Sequence, residues 1–146
     1  MKNILFALLL CLWLSGVCCA AAQTETRAAR EIKTVMDKQA AAWNAGDIDG
    51  FMQGYWQSEN LVFVSGDNVT RGWQPTRDRY KKSYDTREKM GVLTFSELEV
   101  NVLNKDSATV LGRWKVAAQS KDSQGRFTLI FRKFKDGWKI IHDHTS

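Results

Sequence analysis

FTLIFRKFKDGWKIIHDHTS, Phe127 to Ser146, is the stretch that decides the fold. Apolar residues alternate through Phe127–Lys133, a turn cluster follows at Phe134–Gly137, and Trp138 opens a second run. The pattern predicts a β-hairpin whose second strand carries both histidines of the chain. Side chains two apart share one face of a strand. His142 and His144 therefore fall with Trp138 and Ile140 on the face expected to point inward. Lys139 and Asp143 fall on the outer face.

Upstream of the hairpin, the period of two begins at Val92. Leu93 and Phe95 alternate with polar partners, as do Leu98, Val100 and Val102, and the phase slip at Ser96-Glu97 predicts a bulge. After a turn at Asn104–Asp106, Ala108, Val110, Gly112, Trp114 and Val116 form one strand face. Leu111, Arg113 and Lys115 form the other, and a polar loop at 119–125 leads into the hairpin. Before Val92 the period is helical. Ala28, Ile32, Val35, Met36, Gln39, Ala40 and Trp43 recur three and four apart, behind an N-cap at Thr24 or Thr26, and Asn44-Ala45-Gly46 ends the helix. Asp47 is placed to cap a second, short helix with Ile48, Phe51, Met52 and Tyr55 inside. Leu61–Val64 reads as a short strand, Ser65–Asn68 as a turn, and Pro75 sits in the first turn of a third helix bearing Tyr80 and Tyr84.

The order is helix, helix, strand, helix, then four long antiparallel strands. That makes an α+β domain: a curved antiparallel sheet wrapped as a cone around the long N-terminal helix, its wide end open to a small molecule.

Residues 1–22 are excluded from that domain. A basic start at Lys2, an apolar run at 4–14 and small residues ending in Ala20-Ala21-Ala22 predict a signal peptide cleaved before Gln23. An uncleaved anchor and a lipid-anchored form are the alternatives. Export implies a secreted or periplasmic protein with no stable membrane insertion after cleavage. Cys11, Cys18 and Cys19 are the only cysteines, so the mature domain, 23–146, has no disulfide and no thiolate chemistry. Its stability must come from a packed core.

Net charge falls from +5 to +4 once Lys2 is removed. Cations are mixed with anions, densest at Arg77, Arg79, Lys81, Lys82 and Arg87 with Asp78, Asp85 and Glu88, which predicts a solvated helix face and no nucleic-acid partner. Asn68-Val69-Thr70 is a glycosylation sequon, which matters only in a eukaryotic source.

Five stretches carry a resemblance: Gln39–Asp47 (QAAAWNAGD), Gly72-Trp73, Gly112–Trp114 (GRW), Gly125–Leu129 (GRFTL) and Gly137–Ser146 (GWKIIHDHTS). Together they resemble the nuclear transport factor 2-like superfamily, in its SnoaL-like and ketosteroid isomerase-like branch. The last stretch is also similar to the association domain of calcium/calmodulin-dependent kinase. The resemblance implies a cone-shaped α+β domain, a homodimer formed through the outer sheet face, and a pocket between the first helix, the third helix and the inner strand faces. The superfamily hosts isomerases, cyclases, dehydratases and binding modules, so it implies a fold more firmly than an activity.

The expected ligand-binding residues are Trp43, Tyr55, Tyr80, Phe95, Trp114, His142 and His144. The expected ligand is a small apolar or aromatic molecule with one polar group near His144. The first alternative is an acid–base isomerase, dehydratase or hydrolase using His144 with Tyr80 or Asp47. The second is a protein-interaction module with a filled cone. Ketosteroid isomerase chemistry needs a base carboxylate and a neutral acid donor in an apolar cleft. Strict alternation turns no aspartate of the final strands inward to supply them. His142 and His144 can equally be structural caps of the strand end. They offer only two metal ligands, so no metal is expected, and no nucleotide-binding loop is visible, so no cofactor is expected. Arg113 is read as an outward residue, either an anion clamp or part of a dimer salt bridge.

Overall fold

The structure is a computed structural model that describes residues 25–119 and 121–146. The expected export segment, 1–22, lies outside the described residues, and with it all three cysteines. Helix α1 (Arg27–Asn44) starts at Thr26, whose hydroxyl accepts from the Ala29 N–H at 3.1 Å. Its buried stripe is Ala29, Ile32, Met36, Gln39 and Trp43. Gly46, at φ 82°, turns the chain through the left-handed region that only glycine enters without strain. Helix α2 (Ile48–Met52) begins at Asp47, whose carboxylate accepts from the Gly50 N–H at 2.7 Å.

Strands β1 (Val62–Ser65) and β2 (Asn68–Arg71) form a hairpin, followed by helices α3 (Trp73–Ser83) and α4 (Arg87–Met90). Four long strands complete the chain: β3 (Val92–Val102), β4 (Ser107–Ala117), β5 (Ser123–Phe134) and β6 (Gly137–Thr145). They build one six-stranded sheet in the order β2-β1-β6-β5-β4-β3. It is curved and unclosed, and the helices fill its concave side. Pairing is antiparallel except between β1 and β6, which run parallel.

Two elements go beyond the sequence expectation. β2 lies at the sheet edge with its residues mostly exposed, so it carries no apolar alternation to read. α4 is one turn, too short for a helical period; its mark is the Thr86 hydroxyl accepting from the Lys89 N–H at 3.3 Å. The phase slip in β3 is a bulge between Ser96 and Glu99, with Glu97 at φ 52°.

α1 is fastened to the sheet at both ends. The Asn44 side chain donates to the Leu93 carbonyl at 3.0 Å and accepts from the Leu93 N–H at 2.8 Å. Near its start, Glu31 accepts from Lys133 at 2.9 Å and from the Trp138 indole at 3.1 Å. The Lys133 contact first, then the Arg27 guanidinium at 2.8 Å and the indole, hold the Glu31 carboxyl down at about 2. The core is one cluster running from Ile32 and Met36 through Trp43, Phe51 and Leu61 to Phe127, Phe131 and Ile140. Gly112 belongs to it because a Cβ there would stand 2.4 Å from the Phe127 ring. No helix among the described residues is long and apolar enough to cross a membrane.

One departure from regular pairing sets up everything that follows. Ile130 of β5 pairs with His142 of β6, but the next residue, Phe131, pairs with Ile140. Ile141 is the extra residue of a bulge. Below it, Trp138 and Ile140 are buried; beyond it, the buried residue is Asp143. The bulge sits where β6 changes neighbours. Ile140 exchanges backbone hydrogen bonds with Gly54 and Trp56, whereas His142–Thr145 pair with Val62–Ser65 of β1. Strict alternation along the last strand therefore fails, and the faces of its final residues are exchanged.

Candidate functional site

The wide end of the cone encloses a cavity of about 180 Å³. An engineered cavity of roughly 150 Å³ takes up benzene, so this one suits about one ring with a substituent. Its deep wall is apolar and buried: Trp43, Phe51, Phe63, Leu129 and Ile140. The rings meet edge to face, Trp43 against Phe51 at 5.2 Å and Tyr84 at 4.6 Å, Tyr80 against Phe51 at 5.1 Å and Phe63 at 5.6 Å. Such contacts lock each ring in place. Ser65, Arg79, Ser83, Tyr84, Trp114 and Thr145 are more exposed and mark the open end.

Asp143 is the one acidic residue lining this cavity, and it is 5% exposed. Its Oδ2 accepts from the Tyr55 hydroxyl at 2.7 Å. Its Oδ1 is buried and has no hydrogen-bond partner among the described residues. Burial pushes the Asp143 carboxyl up to about 7, held from rising further by the Tyr55 hydroxyl and by the charge of Arg79. Burial, and then the nearby Asp143 charge, push the Tyr55 and Tyr80 phenols well above their ordinary range. Both phenols therefore stay protonated, while the carboxyl is divided between its two forms near neutral pH. A group poised in that way can accept or return a proton, with Tyr55 fixed as a donor beside it.

Several expected site residues lie elsewhere. The structure groups Trp43, Tyr55, Tyr80, Phe95 and Trp114 around the cavity. His142 and His144 are corrected: they stand on the outer face, across from Val62 and Val64 of β1, while Phe63 and Asp143 share the inner face. The bulge at Ile141 is the reason. Neither histidine lines the cavity, so the acid–base scheme built on His144 loses its central residue. Asp47 is exposed and occupied as the cap of α2. Arg113 does point outward, where it and Arg126 both donate to Glu97, at 3.0 and 2.7 Å. The expectation that no aspartate of the last strands faces inward is overturned by Asp143. Its signal was present: two adjacent isoleucines, Ile140 and Ile141, interrupt the alternation just before it. His144→Ala is accordingly expected to change stability by no more than about 0.5 kcal/mol in a thermal melt.

The charge pattern of the sequence places Arg79 on a solvated face with its neighbours. Arg79 lines the cavity instead. On α3 it lies three residues after the buried Thr76 and four before Ser83, which also lines the cavity, so helical spacing carries the signal.

The family model for the SnoaL-like domain matches residues 32–146. Among solved structures, an NTF-2 like protein of unknown function from Shewanella oneidensis MR-1 is 39% identical, with a TM-score of 0.77 over 80% of this chain and 97% of that one. A nuclear transport factor 2-like superfamily protein from Salmonella enterica is 19% identical, with a TM-score of 0.63 over 80% of this chain and 88% of that one. A chain from Xanthomonas campestris assigned to the calcium/calmodulin dependent protein kinase II association domain is 20% identical, with a TM-score of 0.66 over 86% of this chain and 89% of that one. The last two similarities concern fold alone. No curated protein matches the chain.

Proposed function

The chain belongs to the SnoaL-like domain family of nuclear transport factor 2-like folds, and on that premise we propose that its cavity binds a ring-sized, largely apolar molecule and exchanges a proton with it through Asp143. One observation carries the reading: the unpartnered Oδ1 of Asp143, buried at the wall of a cavity lined by aromatic rings. A buried carboxyl oxygen without a partner is costly to leave unsatisfied, and a polar group on a ligand relieves it. A carboxyl near pH 7 suits proton abstraction from a weakly acidic C–H, or protonation of a leaving group. The Tyr55 hydroxyl steadies the carboxylate while Oδ1 works. The aromatic walls exclude water and strengthen every charge interaction inside. The filled cone expected of a pure interaction module does not fit this interior.

The test uses 2-indanone, an aromatic ketone of suitable size with acidic protons beside its carbonyl. In D₂O at pH 7.5, followed by NMR, the protein is expected to accelerate exchange of those protons, and Asp143→Asn to abolish the acceleration. Binding of 2-indanone without faster exchange reduces the cavity to a binding site. Absence of binding by this and comparable ring compounds removes the reading.

A further inference from the structure

Arg79 is the cavity cation that makes no ion pair among the described residues; the Asp143 carboxyl feels its charge without touching it. Its neighbours on α3 are spoken for: Arg77 and Lys81 both pair with Asp49, whose carboxyl is held down at about 2 by them. Among the described residues, the half-buried Arg79 makes no ion pair and no side-chain hydrogen bond; its side-chain contact is with an aromatic ring. It lies over the Phe63 ring, 4.8 Å from the ring centroid. A guanidinium held against a ring through its charge still has N–H donors to offer a ligand. Phe63 is the residue paired with Asp143 across β1 and β6, so the unused donors stand on the same side of the sheet as the unpartnered carboxyl. The hydroxyls of Ser65, Ser83 and Thr145 line the same open end.

We propose that the ligand of this cavity carries a carboxylate, which Arg79 holds at the open end while the apolar body of the ligand fills the aromatic interior. This rests on reading the cavity as a ligand site, and it adds the charge class of the ligand. A guanidinium fork matches a carboxylate with two parallel hydrogen bonds. Such a contact discriminates strongly against neutral and cationic analogues of the same shape. The short reach of the cavity limits the body of the ligand to about one ring.

The experiment titrates the protein with three probes of one size: benzoate, benzyl alcohol and benzylammonium. Calorimetry or ligand-observed NMR reads the affinities. Benzoate is expected to bind about tenfold or more tightly than benzyl alcohol, and benzylammonium more weakly than either. Arg79→Gln is expected to cost benzoate about tenfold and to leave benzyl alcohol within about twofold. Arg79→Lys, which keeps the charge and loses the fork, should fall between. Benzoate binding no more tightly than benzyl alcohol overturns the proposal while the cavity reading survives. So does an equal loss for both probes in Arg79→Gln. Failure of all three probes overturns both. The comparison of probes on the unaltered protein decides the matter even if a variant folds poorly.

Discussion

Asp143→Asn is expected to raise the melting temperature at pH 8, and by only about a quarter as much at pH 4.5. The carboxyl lies at about 7 in the folded chain, against an ordinary 3.8. Its folded value is raised, so the native state binds the extra proton between those two limits. Stability is therefore full below about pH 3.5, falls progressively from there, and is fully lost once pH has risen through about 7. Three units correspond to roughly 4 kcal/mol at pH 8, to order of magnitude. Asparagine keeps the shape and an acceptor for Tyr55 but carries no charge to desolvate. For a domain of this size the gain is on the order of 10 °C. The groups facing Asp143 are Tyr55 from the segment after α2 and Tyr80 and Arg79 from α3, and burial keeps both phenols protonated across this range. The exposed carboxylates lowered by their ion pairs, such as Glu31, Asp49 and Glu97, weaken the fold in acid in both proteins and cancel in the difference. The measurement is the difference in melting temperature between variant and parent from pH 4.5 to 8.5. A difference that stays constant across that range would show that Asp143 does not titrate as its burial requires. The same variant separates chemistry from folding, because it loses proton exchange while gaining stability.

Trp43→Ala should destabilise the domain by about 3–5 kcal/mol in urea unfolding. The indole is 2% exposed at the end of α1 and touches the rings of Phe51, Tyr80 and Tyr84. Its Nε1 donates to the Met90 carbonyl at 2.9 Å, a contact that ties α1 to the turn leading into β3. Alanine removes the ring contacts, leaves a void beside an existing cavity, and strands the Met90 carbonyl. Trp43→Phe retains most of the packing and loses the hydrogen bond, so its loss should be smaller, about 1–2 kcal/mol. Equal losses for the two variants would mean that the bond, and not the packing, carries the site. A loss under 1 kcal/mol for alanine would mean that the cavity wall does not depend on this ring.

The two predictions draw on residues of different legibility. Trp43 falls at the end of a helical stripe that begins at Ala29, and its burial follows from spacing alone. Thr26, Gly46 and Asp47 announce the ends of α1 and α2 by side-chain chemistry that acts over three or four residues. The bulge in β3 is likewise a local slip of phase at Ser96-Glu97. Unbroken alternation through Ile140-Ile141 sends Asp143 outward, and the bulge at Ile141 reverses it. Arg79 is indistinguishable in sequence from Arg77 and Lys81, because a run of charges carries no mark of which members find partners in the fold.

Local regularities therefore account for the elements, their order and most of the core, because capping, helical spacing and strand alternation act between residues a few places apart. The contents of the cavity came from contacts across long stretches of chain. β6 bulges at Ile141 because Gly54 and Trp56 grip Ile140 while β1 takes up His142 to Thr145. That change of neighbour turns Asp143 inward and both histidines out. Asp49, thirty residues before Arg79, binds Arg77 and Lys81 on the outer side of α3, while Arg79 faces the cavity without an ion pair among the described residues. Hydrogen bonds and ion pairs between distant segments leave no period in the chain, so only the folded molecule displays the carboxyl and the guanidinium on which the chemistry rests.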